Sequence, residues 1–97
     1  MDVKGRVAVV TGGVGGLGRG IGQKLAQQGA HVLAADIATD TAAQVEAWTA
    51  DWADQSAAER MEGVVLDVTD AESSANLADY CLERFGHVDI LVNNAGL

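Results

Sequence analysis

Proline is absent from the chain, so no stiff linker announces a domain boundary, and no internal repeat is visible. The one cysteine, Cys81, cannot close an internal disulfide, which fits a reducing compartment. Cations are scarce: 6 Lys and Arg stand against 14 Asp and Glu, for a net charge of −8. So acidic a surface is unsuited to holding a nucleic-acid backbone by bulk attraction, and no nucleic-acid partner is expected. Any phosphate must be held locally, by backbone N–H groups. No apolar run is long enough to cross a bilayer, and the opening MDVKGRVAVV lacks the apolar core and cleavage site of a secretion signal. The expectation is a cytoplasmic protein with no membrane partner. His31 and His87 stand alone, and no group of His, Cys and acids has metal-ligand spacing, so no metal site is expected.

What is present is the composition of a folded domain, with 48% hydrophobic residues. At 97 residues the chain is one domain, or part of a larger one. Residues 6–11 (RVAVVT) form a short Val-rich run that suits a strand buried on both faces of a parallel sheet. A glycine-rich turn from Gly12 to Gly18 follows at once. Leu17, Ile21 and Leu25 then recur every fourth residue, with Gly29 closing a first helix. Residues 30–35 read as a second strand ending at Asp36. Thr39 or Asp40 can cap a second helix, which carries Val45, Trp48 and Trp52 to about Asp54. Residues 55–62 continue in good helix formers with no placed break.

Residues 63–68 (GVVLDV) read as a third strand. Thr69 and Glu72 have capping-box spacing for a third helix, with Leu77, Cys81 and Phe85 on one face and Gly86 at its end. Residues 88–92 read as a fourth strand. The pattern β-α-β-α-β-α-β implies parallel pairing with right-handed crossovers. The natural solution is a Rossmann-like, doubly wound α/β sheet of strand order 3-2-1-4.

The turn Thr11-Gly-Gly-Val-Gly-Gly-Leu-Gly18 holds two overlapping patterns. Gly13, Gly15 and Gly18 fit G-x-G-x-x-G, the general dinucleotide pattern; a strand before and a helix after supply its required context. Thr11, Gly12, Gly16 and Gly18 fit T-G-x-x-x-G-x-G. With Gly5-Arg-Val-Ala-Val-Val-Thr11, Asp67-Val68 and Asn93-Asn-Ala-Gly96, in that order, the chain resembles the short-chain dehydrogenase/reductase family along its whole length. The glycines let the backbone approach a pyrophosphate at the positive end of the first helix.

The resemblance implies a dinucleotide site built from Gly12, Gly16, Leu17, Gly18, Asp36, Ile37, Asp67, Val68, Asn94, Ala95 and Gly96. Asp36, at the end of the second strand, is placed to accept hydrogen bonds from the adenosine ribose hydroxyls, and its charge repels a 2′-phosphate. No cation stands beside it, which favours NAD over NADP; Arg19, the nearest in sequence, begins the first helix. Thr69 is expected to cap the third helix and so leave Asp67 free for the adenine.

The family's chemistry uses a Tyr with a Lys four residues on, a Ser and an Asn, all beyond the NNAG motif. None falls within these residues, so the 97 residues alone are expected to be catalytically silent, a truncated NAD-binding domain. Tyr80-Cys-Leu-Glu-Arg84 imitates Y-x-x-x-K, but it precedes NNAG and carries Arg for Lys. A longer enzyme would move a hydride between NAD(H) and a small alcohol or ketone, and would be a homo-oligomer. The alternatives are a silent NAD-binding module and a structural fragment that binds nothing. Trp48 and Trp52, one helical turn apart, are expected to cover the sheet or a neighbouring loop. Gly20 and Gly22, inside the first helix, are expected to allow close helix–strand packing.

Overall fold

The computed structural model describes residues 2–94. Its elements are β1 (Val7–Thr11), α1 (Gly16–Gln27), β2 (His31–Asp36), α2 (Thr41–Thr49), α3 (Gln55–Glu59), β3 (Met61–Val65), α4 (Ala71–Phe85) and β4 (Ile90–Val92). All the strands are parallel, in the order β3-β2-β1-β4, as expected from the sequence. Val9 at the centre of β1 pairs with Leu33 on one side and Leu91 on the other.

Every residue of β1 is buried, because its neighbours on both sides of the sheet are helices. Successive side chains point to opposite faces. Ala8 and Val10 join Val32, Ala34, Ala26, Val45 and Ala57 beneath α1, α2 and α3. Val7 and Val9 join Leu33, Ala35 and Cys81 beneath α4. The helices thus divide between the two faces, which makes the sheet doubly wound. The strand order reverses between β1 and β4, and it is outside the carboxyl ends at such a point that a crevice opens.

Three elements differ from the sequence reading by two residues or more; one is the fourth strand, which starts at Ile90 rather than at residue 88. The second helix ends at Thr49, and the helix formers after it make the separate α3, whose first turn is capped by Asp54 accepting the Ala57 N–H at 3.0 Å. Gln55 donates to the Trp52 carbonyl at 2.6 Å, which holds the turn between them. The third strand is Met61–Val65 rather than 63–68. It starts early because the Arg60 guanidinium grips the Ala26 carbonyl at 2.8 and 3.1 Å while the Arg60 carbonyl accepts the Val32 N–H at 2.8 Å. It ends early because the Leu66 N–H, bonded to the Asp36 carbonyl at 2.8 Å, is followed by a turn.

The helix glycines also behave differently from expectation. A Cβ at Gly20 would meet nothing within 4 Å, and one at Gly22 would make ordinary contacts with Met61 and Val32. The close approach lies at Gly63 in β3, where a Cβ would stand 2.6 Å from the Thr41 carbonyl oxygen of α2. Trp48 and Trp52 meet edge to face at 5.0 Å and pack against the α1–α2 side of the core, as expected of a cover.

Candidate functional site

The loop between β1 and α1 lies at the carboxyl end of β1. Gly12 takes φ +64°, a left-handed conformation costly for any side chain. A Cβ on Gly18 would stand 2.2 Å from the Gly12 carbonyl oxygen, so the first turn of α1 closes directly on the loop. A Cβ on Gly16 would meet nothing within 4 Å; its outer side is open. Gly15 is the N-cap, no side chain caps the helix, and the first turn carries no acid. The positive helix end is therefore left for a ligand to meet. Leu17 stands beside it, 62% exposed.

β4 is stitched to this loop. The nearly buried Thr11 hydroxyl accepts the Asn94 N–H at 2.9 Å and lies 3.3 Å from both the Val92 carbonyl and Asn93 Oδ1. The Asn94 side-chain amide donates to the Gly12 carbonyl at 3.3 Å. Asn94 thus braces the glycine turn from the neighbouring strand. Ala95 and Gly96 lie outside the described residues.

Asp36 reaches the same loop from β2. Its Oδ2 accepts the Val14 N–H at 3.4 Å and its Oδ1 accepts the Ile37 N–H at 2.8 Å. The Ile37 side chain is 67% exposed at the lip. Val14, which carries no part in the sequence pattern, is held from its other side by Arg19, whose Nε–H donates to the Val14 carbonyl at 2.8 Å.

Asp67 and Val68 fall past the end of β3, in the loop before α4. The Thr69 hydroxyl (2.6 Å) and then its backbone N–H (2.9 Å) both donate to Asp67 Oδ1, and hold that carboxyl below the usual carboxylate range. This corrects the expected capping box: Asp70, accepting the Glu72 N–H, caps α4, and Thr69 serves Asp67 instead. The spacing Asp-x-Thr favours this local turn because the side chain reaches the N–H two residues on. Val68 remains available. With Thr11, Val9, Leu66, Leu91 and Asn93 it lines a cavity of about 380 Å³ between α4 and the β1–β4 pair. Cys81 lies at its wall, and burial pushes the thiol up.

Tyr80 stands apart from this assembly. Its hydroxyl donates to Glu62 near the start of β3, and Arg84 joins both groups. Among the described residues no group of His, Cys and acids could hold a metal, and no helix is long and apolar enough to cross a membrane.

The sequence matches the short chain dehydrogenase family over residues 6–97. The chain is 37% identical over 95 residues to a 3-oxoacyl-(acyl-carrier-protein) reductase of Haemophilus influenzae, covering 98% of this chain and 36% of that protein. It is 42% identical over 93 residues to an L-2,3-butanediol dehydrogenase of Corynebacterium glutamicum, covering 95% of this chain and 34% of the relative. The structure superimposes on menthone neomenthol reductase from Mentha piperita with a TM-score of 0.85 at 36% identity, over 95% of this chain and 32% of that one. The chain thus spans about a third of the length of the relatives it matches.

Proposed function

Because the chain belongs to the short-chain dehydrogenase family, we propose that its residues form the NAD-binding portion of an oxidoreductase that moves a hydride between NAD(H) and a small alcohol or ketone. Bound NAD would supply the hydride acceptor; the residues described here bind and orient it. Gly12, Gly16, Leu17 and Gly18 face the pyrophosphate, whose charge meets the uncapped end of α1. The open side of Gly16 fits that approach, since no Cβ stands between backbone and ligand. Asp36 takes the ribose hydroxyls and Ile37 lies against the adenine. Val68 lines the adenine side with Asp67, and Asn94 borders the path toward the nicotinamide, a part that the family resemblance also gives to Ala95 and Gly96. The whole, 1–97, is one partial domain.

The observation that carries this reading is the Asp36 carboxylate, tied to the Val14 N–H at the lip of an uncapped glycine loop. A carboxylate there accepts from two hydroxyls and repels a 2′-phosphate, which supports NAD over NADP. Titration with each dinucleotide tests it. NAD should bind more tightly than NADP, and Asp36→Ala should weaken NAD and narrow the difference. Discrimination that survives the substitution would sink the assignment. No turnover of alcohols is expected from these residues alone, since Tyr80 is engaged with Glu62 and Arg84. A substrate and a homo-oligomeric assembly belong to a longer enzyme of this kind.

A further inference from the structure

We infer that Arg19 and Trp48 position Asp36, acting through Val14, and so help determine which dinucleotide the loop accepts; this rests on the cofactor reading above. Three elements and the glycine loop meet in one chain of contacts. The Arg19 guanidinium of α1 lies 5.3 Å from the Trp48 ring centroid of α2. The same guanidinium donates through Nε to the Val14 carbonyl at 2.8 Å. Val14 donates its N–H to Asp36 Oδ2 at the end of β2. Trp48 is itself steadied edge to face by Trp52, and both pack on the core with Val14 and Ile21.

The loop needs such a hold. Gly12, Gly13, Gly15 and Gly16 surround Val14, and glycine leaves the backbone its widest freedom. No side chain caps α1 to order that turn. The bond from Val14 to Asp36 is long, at 3.4 Å, so a small rotation of Val14 breaks it. Arg19 prevents that rotation from the carbonyl side. A planar guanidinium suits the task because it can stack on an indole face while its in-plane N–H donates. Arg19 and Trp48 are both half-buried, so their contact is screened less than one between exposed groups. With Val14 held, Asp36 keeps one orientation toward the ribose. Released, the carboxylate keeps only its bond from the Ile37 N–H at 2.8 Å and can swing about it, so a 2′-phosphate is repelled less.

The test measures dissociation constants for NAD and NADP, with urea unfolding midpoints, for the parent chain and three variants. Trp48→Leu keeps the Arg19 charge but removes its platform; it should weaken NAD by about fivefold, as loss of one cation–π contact implies. NADP should change less, so discrimination narrows. Arg19→Ala should do the same, and Trp48→Phe, which keeps an aromatic face, should retain parent behaviour. Equal weakening of both dinucleotides by Arg19→Ala, with Trp48→Leu silent, would mean that Arg19 acts only as a charge near the phosphates, and would overturn the inference. So would a discrimination that follows the unfolding midpoint rather than the aromatic face. If the parent binds NAD and no variant changes, this inference alone falls. If the parent binds neither dinucleotide, the cofactor reading falls and takes this one with it.

Discussion

A methyl group added at Gly18 would have to share space with the Gly12 carbonyl, whereas one added at Gly20, half a turn away, would enter open space. The two positions look alike in sequence, since both are glycines at the start of one helix. Their substitutions should have opposite signs. Gly18→Ala should destabilise by about 1–3 kcal/mol, the range for forced overpacking, because backbone has to move. Gly20→Ala should stabilise by roughly 0.5–1 kcal/mol through the entropy of the unfolded chain. Urea unfolding of both variants checks the pair; a stabilising Gly18→Ala would mean that the loop does not close on α1 as described. Asp67 carries a similar lesson. Asp67, Thr69 and Asp70 all had the chemistry to cap α4, and only the turn geometry assigns Asp70 to the helix and Thr69 to Asp67.

At the level of elements, β1 and β4 are joined by side chains at both ends of a pairing only three residues long. Thr11 ties the carboxyl end to Asn94. Thr11→Val keeps the shape and removes the hydroxyl, leaving the Asn94 N–H without that acceptor, and should cost about 1–3 kcal/mol. A thermal midpoint unchanged by Thr11→Val would show that the link contributes nothing. Asp89 ties the other end: its carboxylate accepts the Val7 N–H at 2.8 Å, and Arg6 and His87 lie against it. The Val7 N–H, with smaller help from the His87 ring and the Arg6 guanidinium, holds the Asp89 carboxyl below its ordinary value. Because the folded value is depressed, the stabilisation is fully present above the ordinary carboxylate value and is lost as pH falls from there through the lower folded value. Urea midpoints from neutral pH down to about pH 3 should therefore fall less steeply for Asp89→Ala than for the parent. Parallel slopes would remove Asp89 from the account.

Over the whole molecule, the charge of −8 opposes a dinucleotide that is itself anionic. If backbone N–H groups and a helix end hold the phosphates, no cluster of cations supplies attraction that salt could screen. Raising ionic strength should then leave NAD affinity level or improve it up to a few-fold, by screening the repulsion. A tenfold loss across the same range would point to lysine or arginine contacts with the phosphates. On the proposed reading, negative charge is plentiful on this chain, and what would discriminate is where the Asp36 carboxylate is held, not how much charge surrounds it.

The strand order, the two-sided burial of β1 and the position of the glycine loop were legible in the sequence. They follow from local rules: Val-rich runs between amphipathic helices, glycine punctuation and short turns leave one parallel arrangement. The places of Asp36 and Asn94 beside that loop were also legible, because a strand end and a motif both have fixed addresses. Three matters were settled only by tertiary structure. The start of β3 depended on Arg60 reaching the Ala26 carbonyl at the end of α1, a contact across 34 residues. The fate of Asp67 depended on a competition among neighbouring polar groups of similar strength. The contacts that join Val14, Arg19 and Trp48 depended on α1, α2 and β2 being brought together at one loop. Periodicity records which face of an element is buried; it carries no record of which distant side chain that face will meet.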